Sequence, residues 1–414
     1  MTKQKEHTAG SQSSSWWFIG SLAIVAGLQP LACGDNVEDP SLDGGQTTID
    51  TPGGAAETVT TATMLADVGP MVIIPTLESY VNSAEGLIDS IEAWRDSSSS
   101  DQTDAKESAQ ERFADAVLAW QQVEMMQIGP AGSSLTAIAG ADIRDEVYSW
   151  PTFDTCRVDQ EVVEDVWDSD TFFDVNLVYS YGLDAVEHLL FSGVDNTCPS
   201  QVGIDQTWDS LGEEGLLLNR ADYAITLIDK TIQHAEDLID TWDPSEGNFS
   251  AELLNTETYP SQQEALNAVF VGLFYLETMT KDRKLGKPLG LRDCSEEICP
   301  EDVEYWASGQ SLLAIHGNLL GFQALFTGGD GIGMSDLLEE LGHGSVGTRM
   351  TENASVAIEV IESMNGDLDE IIINDYESAM TLYEAIKAIT DDLKGDLTTI
   401  LSLQIPKEAS GDND

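Results

Sequence analysis

The feature that most constrains the fold of this chain is the helical spacing of its apolar residues, which extends through most of its 414 positions. Over residues 72–94, apolar side chains recur at spacings near three and four, as on one face of an α-helix. Residues 101–128 continue the pattern until Gly129 and Pro130 end it. Alternating patterns typical of strands are nearly absent. The same helical pattern predicts helices in five later segments: 222–242, 262–279, 303–326, 355–364 and 375–403.

These segments predict an all-α fold. Helices of about 20–30 residues, joined by loops that contain Gly and Pro, favour antiparallel bundles. With 42% hydrophobic residues the chain can bury a large core, and its length favours two domains over one.

The charge of the chain excludes one class of partner. Lys and Arg total 18 against 74 Asp and Glu, which gives a formal net charge of −56. Nucleic acid and anionic membrane surfaces both need basic residues to meet phosphate, so neither is an expected ligand. The acidic surface would attract cations, but acidic residues spread over every helix are also typical of a solvated surface.

The amino-terminal segment has the pattern of an export signal. A short basic region precedes an apolar stretch at 16–28, which has the length of a signal-peptide core and is short for a membrane span. Cys33 follows a small residue, as at a bacterial lipoprotein cleavage site; an uncleaved anchor helix is the alternative. We predict a signal peptide over 1–32, lipidation of Cys33 and a flexible acidic tether over 33–65.

Four cysteines remain after Cys33, and an even number in an exported chain suggests disulfides. Four cysteines allow three pairings, and the sequence does not decide between them. We favour Cys294–Cys299, which closes a small loop, together with Cys156–Cys198. A zinc site is the alternative, although the chain has no CxxC pair.

One helical turn carries the densest chemistry in the sequence. Asp184, Glu187 and His188 stand at i, i+3 and i+4, so their side chains project from one face. Two carboxylates and an imidazole there could bind a divalent cation or share protons. Alternatively, Asp184 interacts with the helix dipole or caps free amides, and Glu187 belongs to a hydrogen-bond network.

The block around this turn, YGLDAVEHLLF at 181–191, resembles the Gly-x-His-x-x-Glu signature of the imelysin-like proteins. Gly182 and Glu187 match the signature, whereas Asp184 stands where the family has His. Four further blocks resemble family segments in the family's order: 120–130 (WQQVEMMQIGP), 143–151 (IRDEVYSWP), 284–290 (KLGKPLG) and 305–331.

The resemblance implies two antiparallel helical-bundle domains, with the motif residues near the interface between them. The amino-terminal domain would span 66–215 and carry the signature, and the second bundle would span 216–405, with a disordered tail at 406–414. Motif or binding residues implied outside the three candidate metal ligands are Gly182, Trp120, Glu124, Arg144, Trp150, Pro151, Lys284, Lys287, Pro288, Ser308 and Ser311.

The blocks give some of these residues specific expectations. Glu124 is the best candidate outside the signature to join the site, and Arg144 is expected to pair with a carboxylate. Ser308 and Ser311 share a helix face and would permit close helix packing. The tryptophans are expected to be packing anchors: Trp120, Trp150 and Trp306.

The family includes insulin-cleaving membrane proteases and iron-regulated periplasmic lipoproteins. The chain has no HExxH and no Gly-x-Ser-x-Gly, so peptidase activity has no motif behind it. We predict an exported lipoprotein of the outer membrane or cell envelope, periplasmic or surface-facing, that binds its ligand without catalysis and is linked to uptake of iron or another divalent cation. Its partners would be the membrane, through the lipid, and iron-uptake components; a metallopeptidase is the alternative.

Overall fold

Helices supply the regular structure of residues 58–407, the part of the chain that the computed structural model describes. These residues contain no strand, so the predicted all-α fold is confirmed. In chain order the α-helices are α1 Thr61–Asp67, α2 Ile74–Arg95, α3 Gln102–Val123, α4 Ile143–Val147, α5 Thr155–Glu164, α6 Phe172–Val175, α7 Leu183–Phe191, α8 Asp205–Trp242, α9 Phe249–Leu253, α10 Gln262–Leu273, α11 Ser311–Thr327, α12 Met334–Glu340, α13 Gly344–Ser363, α14 Leu368–Asn374, α15 Tyr376–Asp392 and α16 Thr398–Ile400.

Shorter and wider helical turns connect several of these elements. Four 3₁₀ turns occupy Gly129–Ala131, Val178–Ser180, Ser200–Val202 and Pro300–Asp302. Three π-helical segments occupy Val68–Ile73, Leu276–Gly286 and Leu393–Leu397. Such wider turns are frequent at functional sites.

The long helices α2, α3 and α8 pack side by side, with α7 against both α3 and α8. Aromatic side chains fill this core: the ring of Tyr80 meets the ring of Trp120 edge-on at 5.0 Å. The Tyr80 hydroxyl donates a hydrogen bond to Thr231 on α8 at 2.6 Å. Helix α11 packs on α3 and connects this group to α13 and to the segment Leu276–Gly286, which both contact α15.

The predicted boundary between two domains at residues 215 and 216 falls within α8. That helix is interrupted earlier, at Gly212, whose φ of 66° is left-handed. The unit that begins at Ala56 contains every described helix, so the division into two bundles stays a prediction.

The helix predicted over 303–326 begins at Ser311 instead of residue 303. Tyr305 and Gly309 have left-handed φ values of 53° and 70°, which interrupt a right-handed helix. The helix predicted over 101–128 ends at Val123, and residues 61–65, assigned to the tether, begin α1 with Met64 and Leu65 buried. The predicted signal peptide, Cys33 and most of the predicted tail lie outside the described residues.

The favoured disulfide pairing is confirmed. Cys156–Cys198 ties the start of α5 to the segment after α7 across 42 residues, and Cys294–Cys299 closes a five-residue separation. Chain-entropy arguments give about 4 kcal/mol for the longer loop and about 2 kcal/mol for the shorter one.

Within the described residues, no helix is both long enough and apolar enough to cross a membrane.

Candidate functional site

A glycine that no other residue could replace without strain directly precedes helix α7. Gly182 precedes the helix with φ of 88°, and a Cβ there would lie 2.7 Å from the carbonyl oxygen of Val147. This close approach brings the start of α7 against the segment after α4. As a result, Asp184 accepts hydrogen bonds at Oδ2 from the Ser149 amide at 2.8 Å and from the Ser149 hydroxyl at 3.1 Å.

One turn further along, Glu187 is held by a segment distant in sequence. Its Oε1 accepts the Ser308 amide at 2.9 Å and the Ser308 hydroxyl at 2.7 Å. Residue 308 lies in the non-helical stretch before α11, so its amide is not engaged in a helical hydrogen bond. The two signature carboxyls therefore join α7 to two separate segments of the chain.

Glu124, at the end of α3, binds the expected arginine. Its Oε1 accepts Arg144 Nε at 2.8 Å and the indole N–H of Trp120 at 3.2 Å. The Tyr275 hydroxyl donates to Oε2, and the Lys284 ammonium lies 3.7 Å from the same oxygen. Burial alone would raise the pKa of Glu124, but the charges of Arg144 and Lys284 outweigh it and lower the pKa.

Lys284 joins a second buried carboxyl to the first. Its ammonium lies 3.1 Å from Glu304 Oε2 and 2.5 Å from Gln121 Oε1. Glu304 accepts the Tyr148 hydroxyl at 2.7 Å on its other oxygen. The Tyr148 ring stacks on Tyr305 with 5.2 Å between centroids.

These groups form one electrostatic unit, in which carboxyls outnumber cations by two. The unit, which we call the carboxyl cluster, consists of Glu124, Asp184, Glu187 and Glu304 with Arg144 and Lys284.

Protons compensate for the missing cations. Burial raises the pKa of Asp184 to about 8, with a further contribution from the charge of Glu187. Burial also raises the pKa of Glu187 to about 7, against the hydrogen bonds from Ser308 that lower it. The pKa of Glu304 is likewise raised by burial, although Lys284 opposes the shift. At neutral pH Asp184 therefore keeps its proton and Glu187 is partly protonated.

His188 belongs to a different network. Its Nε2 lies 2.8 Å from Asp159 Oδ1, and its Nδ1 lies 2.7 Å from the Ser192 hydroxyl. The other oxygen of Asp159 accepts the amide and hydroxyl of Thr197, next to the disulfide at Cys198. The contact of Nε2 with Asp159 thus braces α7 against α5, and Nδ1 is engaged by Ser192 at the end of α7 itself.

A metal ion at this site would find two protein ligands rather than a full set. Across 58–407 there is no group of three or more His, Cys, Asp or Glu side chains arranged to hold a metal ion. Asp184 and Glu187 supply two carboxyls, whereas His188 is directed to Asp159. Metal ligation by Asp184, Glu187 and His188 together stays a prediction.

The remaining predicted residues lie around the cluster. The Trp150 carbonyl accepts Arg144 N–H groups at 3.4 Å, and the Trp150–Pro151 peptide bond is cis. Ser311 donates to the Glu304 carbonyl, so it fixes the segment that carries that residue.

The KLGKPLG loop contributes one member to the cluster and two structural contacts. Whereas Lys284 is buried, Lys287 pairs with Asp302 at 3.1 Å near the surface. The Pro288 carbonyl accepts the amide of Cys299 at 2.9 Å. Trp306, expected to be a packing anchor, is 66% exposed and so does not anchor the core; the buried Tyr305 before it has a left-handed φ of 53°.

Sequence reasoning missed several members of the site. Glu304 directly precedes the block at 305–331, and Tyr148 and Ser149 lie inside the block at 143–151. These blocks could therefore have indicated all three residues as members of the site. Tyr275 and Asp159 carried no local signal, because each acquires its partner through tertiary packing.

The fold and site define an all-helical protein with a buried carboxyl cluster between its helices. The sequence profile of the Imelysin family matches residues 73–395, and the chain belongs to this family. No curated protein matches it.

Two solved structures share the fold. An imelysin-like protein from Psychrobacter arcticum 273-4 is 17% identical with a TM-score of 0.64, covering 84% of this chain and 98% of that one. A protein described as an iron-regulated protein A precursor, from Parabacteroides distasonis ATCC 8503, is 13% identical with a TM-score of 0.62, covering 84% and 97%.

Proposed function

We propose that the chain is an exported lipoprotein of the cell envelope that binds a divalent cation, iron(II) in the first place, without catalysing a reaction. The observation that carries this proposal is the excess of two carboxyls over cations in the carboxyl cluster. Two ionised carboxyls carry the charge that one divalent cation neutralises. Carboxylate oxygens are suitable ligands for Fe(II) and Mn(II).

The raised pKa values give this binding a definite pH dependence. A carboxyl must lose its proton before it can act as a ligand, so a cation would displace the protons on Asp184 and Glu187. Their pKa values of about 8 and about 7 place that exchange between neutral and mildly alkaline pH. Because the described residues offer two carboxyls and no third nearby ligand of this kind, water would complete the coordination, and the affinity would be modest.

The relatives support the link to iron and to export. One solved structure of the same fold is described as an iron-regulated protein precursor.

Family membership also raises the metallopeptidase alternative. Asp184 and Glu187 each accept a serine amide and hydroxyl on one carboxyl oxygen, so that oxygen is already engaged and is poorly placed to activate a water molecule. Chelator-sensitive cleavage of a denatured protein would favour the alternative.

Calorimetric titration tests the cation site. The purified protein is titrated with Mn(II), and anaerobically with Fe(II), at pH 6.0 and at pH 8.5. We expect about one equivalent to bind at pH 8.5, where both carboxyls are largely ionised, and at least tenfold weaker binding at pH 6.0, where the cation must displace their protons. Asp184→Asn and Glu187→Gln should each weaken binding at pH 8.5 by about tenfold or more, since each removes one negative ligand.

Glu340→Gln provides a matched control, because this substitution removes one negative charge at an exposed position at the end of α12 that takes part in none of the cluster's contacts. Failure of the wild-type protein to bind either metal at pH 8.5 would exclude the proposed site. Equal binding by wild type and both cluster variants would place the cation elsewhere on the acidic surface.

Membrane anchoring rests on Cys33, which lies outside the described residues. Cys33→Ser should leave the precursor unprocessed or move the protein to the soluble fraction, because the lipid attachment atom is lost. Membrane fractionation and mass spectrometry of the mature protein measure this, with Ser41→Ala as a control in the same segment. An unmodified Cys33 in a mature protein free of membrane would contradict lipidation and leave export intact.

A further inference from the structure

One asparagine of the chain is followed directly by a glycine, and the pair lies in an exposed connection between two helices. Asn365 and Gly366 belong to residues 364–367, which join α13, ending at Ser363, to α14, beginning at Leu368. Both residues are exposed to solvent. Neither of them contacts the carboxyl cluster.

The backbone amide of Gly366 is not engaged by the fold. Residues 364–367 are not helical, and within the described part of the chain this amide donates no hydrogen bond. Gly366 has a left-handed φ of 102°, and a Cβ built on it would meet no atom within 4 Å. Across residues 58–407, no packing contact therefore crowds this glycine.

The side chain of Asn365 is held by a single exposed contact. Its Nδ2 donates a hydrogen bond to the Ser363 carbonyl oxygen at 3.1 Å. Such a bond exchanges readily for one with water, so it restrains the side chain weakly. Exposed side chains also change rotamer in picoseconds to nanoseconds, far faster than covalent chemistry. The Asn365 Cγ atom can therefore approach the Gly366 nitrogen.

This proximity permits a ring closure that needs no enzyme. The Gly366 nitrogen loses its proton to hydroxide and attacks Cγ of Asn365, which closes a five-membered succinimide. The Cγ–Nδ2 bond breaks, and the departing nitrogen takes up a proton from water and leaves as ammonia.

Water then opens the ring at one of two bonds. Cleavage between the Gly366 nitrogen and Cγ gives aspartate with a normal backbone. Cleavage between the same nitrogen and the backbone carbonyl carbon of Asn365 gives isoaspartate, in which the chain runs through the side chain. In sum, one water is consumed, one ammonia is released and a carboxamide becomes a carboxylate, so no oxidant or reductant is needed.

The structure opposes the same chemistry at another exposed asparagine. Asn374 is the last residue of α14, and its Nδ2 donates to the Glu370 carbonyl oxygen at 2.9 Å. The amide that would attack it, that of Asp375, donates to the Ile371 carbonyl oxygen at 2.7 Å. This amide would have to break a helical hydrogen bond before it could react, and Asp375 also has a Cβ that hinders ring closure.

An exposed Asp-Gly pair is protected in a similar way. Asp330 and Gly331 could form the same ring, but the Gly331 amide donates to the Gly328 carbonyl oxygen at 2.9 Å. A Cβ on Gly331 would lie 2.8 Å from both Asp67 Oδ2 and Met71 Cγ, so this turn is closely packed. An open glycine with an unengaged amide therefore distinguishes the pair at 365 and 366.

We propose that Asn365 is a site of spontaneous modification in the folded protein, where it forms a succinimide with Gly366 and is converted to aspartate and isoaspartate. The product adds one negative charge two residues before Asp367, whose carboxyl lies against Gly309 in the stretch that precedes α11. The reaction needs no residue of the carboxyl cluster, so this proposal stands or falls independently of cation binding.

Peptide mapping of aged protein tests the proposal. The full mature protein is held at 37 °C at pH 7 and at pH 9 and sampled over several weeks. A protease that cuts after glutamate separates the two asparagines, because Glu370 lies between them. By mass spectrometry, Asn365 should be converted at least about tenfold faster than Asn374, since glycine places no Cβ in the path of the attacking nitrogen.

Two further readouts identify the route. The rate at Asn365 should be higher at pH 9, because hydroxide removes the amide proton. The modified peptide should appear as two species of equal mass that separate by chromatography, aspartate and isoaspartate. Asn365→Gln should abolish conversion at this position over the same period, because its longer side chain would have to close a six-membered ring. Asn374→Gln is the matched control and should leave the rate at Asn365 unchanged.

The guanidinium-unfolded chain separates the effect of the fold from that of the dipeptide. Asn365 should react at a similar rate in the folded and unfolded protein, because no native contact protects it. Isoaspartate at Asp330 should form at least about tenfold more slowly in the folded protein, where the Gly331 amide must first be released by local opening.

Three results would overturn the proposal. Conversion at Asn365 no faster than at Asn374 would show that the open glycine confers no reactivity. Conversion of Asn365 at least tenfold slower in the folded than in the unfolded protein would show that the native turn protects it. Aspartate without isoaspartate would indicate direct hydrolysis of the carboxamide instead of ring closure.

Discussion

At the scale of single residues, the most consequential position is Asp184. The imelysin-like signature that this turn resembles has His at this position. Having Asp instead of His changes the charge that the side chain carries with and without its proton. A protonated His carries positive charge, whereas a protonated Asp is neutral and an ionised one is negative. In this chain the position therefore adds a fourth carboxyl to the cluster, and burial raises its pKa so that it keeps its proton at neutral pH.

This proton makes the stability of the protein depend on pH in a predictable direction. The pKa of Asp184 is about 8 in the folded state, against an ordinary value near 4. Between these values the folded state keeps a proton that the unfolded state has lost, so the free energy of unfolding falls as pH rises. One proton contributes up to about 1.4 kcal/mol per pH unit. In Asp184→Asn this contribution is absent, and its amide oxygen can still accept the Ser149 donors.

Urea unfolding at pH 5, 6, 7 and 8 measures the effect. The difference in unfolding free energy between Asp184→Asn and wild type should shift in favour of the variant as pH rises. Asp330→Asn, which changes an exposed aspartate, should follow the wild-type curve. Parallel curves for wild type and Asp184→Asn would show that Asp184 is already ionised in the folded protein at neutral pH.

The sequence could identify some residues of this site but not which of them contact each other. The pairing of Arg144 with a motif carboxylate followed from the scarcity of cations, and Glu124 is that carboxylate. Helical spacing placed His188 beside Asp184 and Glu187, and the structure engages its ring with Asp159 instead. Spacing along a helix fixes which side chains share a face, but tertiary neighbours decide which partner each one finds.

At the scale of elements, periodicity predicted the long helices well and failed where the chain turns left-handed. The stretch before Ser311 has apolar residues at helical spacing, yet Tyr305 and Gly309 interrupt it. A Cβ on Gly309 would lie 2.6 Å from Asp367 Oδ1, so the loop packs too closely for a larger residue. Because the helix is interrupted here, the Ser308 amide can donate a hydrogen bond to Glu187. A continuous helix from residue 303 would have consumed that amide in its own hydrogen bonds.

At the scale of the whole molecule, the charged groups fall into two populations. A few form buried ion pairs, and the many exposed acidic side chains account for the net charge of −56. Buried pairs such as Arg144 with Glu124 and Lys284 with Glu304 are shielded from solvent ions, so salt affects them little. Exposed acidic side chains, which have few cations to meet, repel one another across the surface. The buried pairs therefore respond weakly to a change in ionic strength, whereas the repulsion among the exposed acidic side chains responds strongly.

We expect added salt to stabilise the protein for this reason. Raising NaCl from 0.05 M to 1 M shortens the screening length from above 10 Å to about 3 Å, which weakens the repulsion between exposed carboxylates. The unfolding free energy should rise by at least about 1 kcal/mol, or roughly 2 °C in Tm, measured by thermal and urea unfolding at pH 8. Tetramethylammonium chloride at equal ionic strength should have a similar effect, because screening does not require a bound cation. Stability that is flat or falls with both salts would mean that exposed ion pairs, rather than repulsion among the 74 acidic residues, dominate the electrostatic energy of this fold.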